Sequence, residues 1–210
     1  MHGGLDGSSD GPAIVGSGLG HSFGQQWLFR NLSFRLVAGE AVAVCGPSGC
    51  GKTTLLSILA RWLAPSEGEL ARYGVARVSW VFQNPHGVAR RSAVDHVVYP
   101  LLARGLSVEE AERGASDLME QFSIGKVADH PFSALSGGEA QRLMLARAVA
   151  ASPDVLLVDE PTAQLDRSSA RTVNQTMGKI AGSGSIVVVA THDQDTMTAC
   201  DRIIDLQAER

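Results

Sequence analysis

The chain has 210 residues, room for one well-buried domain at roughly 100–200 residues per domain, and its formal net charge of -4 leaves no basic surplus of the kind that nucleic-acid binding draws on. Aromatic residues make up 5%, too few for base-stacking platforms to be its main business, and no apolar run approaches the roughly 18 residues needed to span a bilayer. Three cysteines, Cys45, Cys50 and Cys200, lack pairs at metal-ligand spacing and indicate reduced thiols in a cytosolic protein rather than a disulfide framework.

The opening MHGGLDGSSDGP has neither the basic nor the apolar region of a signal peptide; its Gly, Ser and Asp content predicts a mobile tail over residues 1–12, with order from about Ala13. The first strand-like run is AVAV (41–44), followed by a helical pattern from Lys52 to about Trp62, ahead of Pro65. VSWVF (78–82) reads as a second strand. Residues 84–135 carry helical patterning without a comparable buried strand and read as a helical insertion. Within them, Ser107 followed three residues later by Glu110 forms a capping box, and Val108, Ala111, Ala115, Leu118 and Phe122 share one predicted face. A further helix spans 138–150 and stops before Pro153. DVLLV (154–158), a helix over about 167–180 and SIVVVA (185–190) complete the alternation. Continuously apolar strands between helices predict an α/β fold with a mostly parallel sheet covered on both faces. No internal repeat is apparent.

Between AVAV and the first helix stands Gly46-Pro47-Ser48-Gly49-Cys50-Gly51-Lys52-Thr53, followed by Thr54. It fits G-x-x-x-x-G-K-[ST] at every required position, and the strand before it and the helix after it supply the context that motif needs. Glycines let successive backbone N–H groups curl round an anion, Lys52 can reach the β- and γ-phosphates, the Thr53 hydroxyl can ligand Mg²⁺, and the helix dipole adds to the field. DVLLVDE ends an apolar strand on two carboxylates that point to opposite faces. Asp159 is placed to hold Mg²⁺, and Glu160 to orient or deprotonate the attacking water.

LSGGEAQR, Leu135 to Arg142, strongly resembles the signature sequence of ATP-binding-cassette (ABC) ATPases, and with the phosphate loop and VLLVDEPT the resemblance extends over about residues 14–206. It implies a RecA-like P-loop NTPase fold in a single domain, 13–210: a core of 13–83 and 151–210, a helical subdomain of about 84–150 and a reduced antiparallel β subdomain. It also implies ATP and Mg²⁺ as ligands, and a head-to-tail dimer, homomeric or with a second ABC ATPase subunit. In that dimer Ser136, Gly137, Gly138 and Glu139 of one subunit cover ATP held by the phosphate loop of the other. Gln83 matches the glutamine that touches Mg²⁺ and water, His192 in THD matches the γ-phosphate histidine, and Asp166 in AQLD matches the loop that communicates across the dimer. Phe23 matches the adenine-stacking position, usually a tyrosine in the family, and nearby Trp27 competes for that role. The implied partners are transmembrane permease subunits, with the chain peripheral on the inner face of the cell membrane and no nucleic acid expected.

Several features depart from the family pattern. The segment 68–83 is short where an antiparallel hairpin normally sits. Arg90 and Arg91 occupy positions where an apolar docking patch is expected; they read equally as partners of acidic groups or as a solvated turn. Cys50 lies inside the phosphate loop and suggests sensitivity to thiol reagents. SAVDHVVYPLLARG resembles the branch of lipoprotein-release and macrolide-efflux ATPases, whereas the short 68–83 segment looks more like importer ATPases. Three other readings stand beside transport: a translation factor, which in this family carries two cassettes per chain; a DNA-repair ATPase, which splits its cassette around long heptads; and an ATP switch that does not hydrolyse.

Overall fold

The computed structural model describes residues 11–163 and 165–207; the tail expected over 1–12 falls almost wholly outside the described residues. Two sheets organise the chain. The larger is five-stranded and parallel, with β3 (Ala41–Cys45) between β7 (Ile186–Ala190) and β8 (Arg202–Asp205), and with β6 (Val155–Asp159) joining β7 to the edge strand β5 (Val78–Val81). The order β5-β6-β7-β3-β8 brings the C-terminal ends of β3, β5 and β6 to one edge, where the loops carrying the phosphate motif, Gln83 and the acidic pair emerge.

The apolar runs owe their continuity to burial on both faces. Leu156, Val158, Val187 and Val189 face one core, shared with helices α2 (Ala93–Ala103), α3 (Val108–Gln121), α4 (Gly137–Ala150) and α5 (Arg167–Gly182). Their neighbours Val155, Leu157, Ile186 and Val188 face a second core. That second core also takes Leu55, Leu56, Ile58 and Leu59 of α1 (Lys52–Leu59) and the inner side of the smaller sheet. Strand residues with alternate side chains in different cores have no polar face to show, so their sequence cannot alternate.

The smaller sheet is three-stranded and antiparallel: β1 (Ala13–Phe23) lies between β2 (Gln26–Val37) and β4 (Glu67–Tyr73). The stretch 13–83, grouped with the core on sequence, is therefore divided between two sheets, and the short segment 68–83 still supplies one strand to each. The first helix ends at Leu59 rather than near Trp62, because the chain turns through a left-handed Arg61 (φ 60°). In α3 the predicted capping box is present, and Ala111, Ala115 and Phe122 are buried, but Val108 is 60% exposed: in the first turn it points past the helix pack. A short helix, α6 (Gln194–Thr198), follows β7. Among the described residues, no helix is long and apolar enough to cross a membrane.

Candidate nucleotide site

Leaving β3, the chain enters the phosphate loop with two glycines that nothing larger replaces. Gly46 has φ 140°, and a Cβ there would lie 2.6 Å from Cys50 Sγ; Gly51 has φ 105°, and a Cβ would press on Leu28 and Phe29 at 3.0–3.2 Å. The loop then runs into α1, whose first residues are Lys52, Thr53 and Thr54. Lys52 Nζ folds back to donate to the Gly46 carbonyl (3.0 Å) and stands 3.8 Å from Glu160 Oε1. The Thr53 hydroxyl donates to Asp159 Oδ2 at 2.7 Å.

Asp159 ends β6, and burial pushes its carboxyl above the ordinary range, with the Glu160 charge adding to this and the Thr53 hydroxyl and Lys52 opposing it. Glu160 has a left-handed backbone (φ 47°), a conformation that costs a residue with a side chain about 1–2 kcal/mol. Its N–H donates to the Ala190 carbonyl on β7 (2.8 Å), which fixes the turn, and its carboxylate accepts from His192 Nδ1 (2.8 Å) and the Thr191 hydroxyl (3.4 Å). Strained backbone held by a neighbouring strand is how a fold aims one carboxylate.

A cavity of about 690 Å³ collects these groups, within the range of about 300–1,000 Å³ usual for small-molecule sites. It is lined by Pro47, Ser48, Gly49, Gly51, Lys52, Thr53 and Thr54 of the loop and first helix, by Gln83, Asp159, Glu160 and His192, and by Phe23 and Leu28 of the antiparallel sheet. Phe23 is 60% exposed, edge-on to His21 at 4.9 Å, whereas Trp27 does not line the cavity and instead carries the Arg30 guanidinium 4.2 Å above its ring. The Thr53 hydroxyl and Asp159 carboxylate give the hard-oxygen, single-carboxylate donor set that magnesium takes beside substrate phosphates.

One expectation is altered here. Cys50 lies in the loop, but its side chain is 0% exposed and packed into the core beneath it; only its backbone faces the turn, its N–H donating to the Pro47 carbonyl (3.2 Å). Sensitivity of this thiol to reagents is therefore not expected. Burial raises the Cys45 and Cys200 thiols, the latter to about 11. Alkylation at neutral pH should leave all three cysteines largely unmodified in the native protein and find them only after denaturation, which mass spectrometry of the labelled chain reads directly. Arg91 is not a free cation: its guanidinium lies 4.2 Å over the Tyr99 ring.

Ser136, Gly137, Gly138 and Glu139 do not line the cavity. Ser136 caps α4, donating to Glu139 Oε2 (2.7 Å) and accepting from the Glu139 N–H (3.4 Å), while Glu139 also accepts from the Ser136 N–H (2.9 Å). Asp166 caps α5 through the N–H groups of Ser168 and Ser169, and Arg142 of α4 donates to the Ser169 hydroxyl (3.0 Å). The signature helix and the helix after the acidic strand are thus linked by one side-chain chain, Arg142–Ser169–Asp166.

Sequence reasoning missed a surface of another kind. Trp62, Trp80 and Phe82 stack with ring centroids 4.8–5.9 Å apart, and Trp62 is 67% exposed. They line a groove of about 460 Å³ that Arg147, Met144 and Pro100 close on the other side. The signal was available as tryptophan on an edge strand, but its stacking partner comes from a different element.

The fold and the site together define a P-loop nucleotide-binding cassette. Residues 29–163 match the family model described as ABC transporter, and the chain belongs to that family. It is 37% identical over 192 residues to an uncharacterized ABC transporter ATP-binding protein of Mycobacterium tuberculosis, a match covering 84% of this chain and 58% of that protein. The chain thus spans less than two thirds of the length of this and the other mycobacterial relatives it matches at 37% identity. It is also 36% identical over 203 residues to the lipoprotein-releasing system ATP-binding protein LolD of Cereibacter sphaeroides, covering 89% of this chain and 91% of that one. The dimeric structure of MJ0796, a bacterial ABC transporter cassette, superposes with a TM-score of 0.81 at 28% identity, over 92% of this chain and 94% of that chain. A second dimeric structure of that cassette, in a post-hydrolysis state bound to ADP and Pi, gives a TM-score of 0.80 over the same shares.

Proposed function

We propose that the chain is the ATP-binding and hydrolysing subunit of an ABC transporter, closing head-to-tail on a second ATPase subunit around two MgATP and passing that closure to separate transmembrane subunits. The observation that carries this reading is the division of the site. Phosphate loop, acidic strand end, Gln83 and His192 share one cavity, while the signature residues Ser136–Glu139 and Asp166 stand at helix starts outside it. A second copy would bring an anion-binding helix start over the open mouth.

The chemistry follows from the geometry. Backbone N–H groups of the phosphate loop, Pro47 excepted, and the Lys52 ammonium hold the phosphates once Lys52 releases Gly46. Magnesium at Thr53, Asp159 and Gln83 supplies charge neutralisation when bound. Glu160, with His192 on one carboxylate oxygen, orients and deprotonates the attacking water. Phe23 offers its face to the base. Catalysis is positioning plus electrostatics.

The similarity to LolD supports the branch to which SAVDHVVYPLLARG points. The Trp62–Trp80–Phe82 surface supports docking of a transmembrane partner, and that docking would hold the subunit on the inner face of the membrane. The test of the divided site is Ser136→Arg. This variant should bind ATP like the parent, because Ser136 lies outside its own cavity. It should lose Mg²⁺-dependent phosphate release by at least about 10²-fold, the scale set by removing one preorganised anion-stabilising group. Unchanged turnover would mean that the active unit is a single chain.

A further inference from the structure

We propose that His96 is a positioning residue for ATP turnover: its neutral imidazole holds Val88, in the segment after Gln83, against the start of α2 and packs on Phe132 of the segment before Ser136, so the loop leaving Gln83 is held in place only while that ring is uncharged.

His96 sits in the first turn of α2 and is 5% exposed. Its Nδ1 lies 2.7 Å from the Ser92 carbonyl, which can only accept, so Nδ1 carries the proton. Its Nε2 is then bare and accepts from the Val88 N–H at 2.9 Å. Two backbone groups thus fix one tautomer of one charge state. A second proton would set N–H against N–H and break the bond to Val88.

Val88 belongs to the segment that begins just after Gln83 at the nucleotide cavity. That segment is tied to residues 130–133: Phe132 N–H donates to the Arg91 carbonyl (2.9 Å), Ser133 N–H to the Ala89 carbonyl (3.0 Å), and Ala93 N–H to the His130 carbonyl (2.8 Å). Phe132 packs against the His96 ring at 5.4 Å and presses on Gly87, where a Cβ would meet it at 2.5 Å. Three residues beyond Ser133 stands Ser136. His96 therefore fixes Val88 to the start of α2 by two hydrogen bonds, and its ring packs on Phe132 of the segment that leads to Ser136.

The charges around the ring oppose protonation. Burial is the largest influence holding the imidazole's affinity for protons below its ordinary value; the Ser92 carbonyl opposes it, Arg147 from α4 and Arg91 from the preceding loop add to it, and Asp95 on its own helix opposes it. A lowered folded value gives stability that is complete above the usual histidine range and is lost as pH falls through the folded value. Neutral conditions thus hold the clamp closed and acid opens it.

The inference rests on the chain being an ATPase, so its test uses two readouts, pH profiles of turnover and of amide exchange at Val88. His96→Gln supplies an acceptor at about the reach of Nε2 that does not titrate; His96→Phe keeps the ring against Phe132 and removes the acceptor. The parent should lose turnover and Val88 protection together at acid pH. The Gln variant should keep neutral turnover within about twofold and lose the acid-side drop. The Phe variant should show turnover reduced and Val88 exchange accelerated by about tenfold at every pH, the effect of one lost hydrogen bond, with KM for ATP within about twofold. An acid limb in the Gln variant equal to the parent's, a Gln variant as slow as Phe throughout, or normal Val88 exchange in the Phe variant would each overturn the clamp. If the parent hydrolyses no ATP, the functional reading fails, and amide exchange alone decides for or against His96.

Discussion

Glu160→Gln should lower phosphate release by about 10²–10⁴-fold, the range a positioned general base contributes, while ATP binding persists. The side chain keeps its length and its hydrogen-bond acceptor, so the contact from His192 Nδ1, now 2.8 Å, can survive; what disappears is the charge that takes the water's proton. With the carboxylate gone, repulsion between Glu160 and incoming phosphates also falls. The variant should therefore accumulate as an ATP-bound dimer, visible as an Mg-ATP-dependent shift in size-exclusion chromatography that the parent shows only briefly. Turnover within tenfold of the parent would remove Glu160 from the role assigned to it.

Lys52→Ala acts at the other end of the reaction. The ammonium is nearly buried, at 11% side-chain exposure, between the Gly46 carbonyl and the Glu160 carboxylate. Removing it takes a charge-assisted donor from the phosphates and leaves Glu160, itself 10% exposed, without the cation beside it. A charged hydrogen bond is worth about 1.5–3 kcal/mol, so ATP affinity should fall about 10–100-fold, measured by titration with a fluorescent analogue. The two variants part cleanly: one binds and does not turn over, the other fails at binding.

How much of this the sequence disclosed depends on where the constraint lies. Strands β3, β6 and β7 were legible because burial on both faces leaves short, continuously apolar runs, and the half-buried edge strand β5 as the short β-branched and aromatic run VSWV. Strand β1 was not, because Gly16, Gly18 and Gly20 interrupt it and its register with β2 shifts three times between Gly16 and Ser22. Strand β4, EGELARY, is a polar edge without apolar alternation, and β8 is a short edge strand beside β3. The phosphate loop and acidic pair were legible because each packs its chemistry into consecutive residues. The Trp62–Trp80–Phe82 stack and the His96–Val88 contact join residues from separate elements, and no spacing rule in one chain pairs them. Cys50 shows the limit from the other side: the motif placed it in the loop, but only packing shows that its thiol turns inward.

Several polar groups that the reaction needs already have a resting companion: Lys52 holds Gly46, Thr53 holds Asp159, Ser136 holds Glu139 and Asp166 holds Ser169. Nucleotide arrival is therefore a swap rather than a first acquaintance. Where one hydrogen bond replaces another, the net gain is smaller than the gross strength of the bond formed. On the proposed cycle, loss of one phosphate would let each of these groups return to its resting neighbour, so the same bonds that yield to the nucleotide would favour its release.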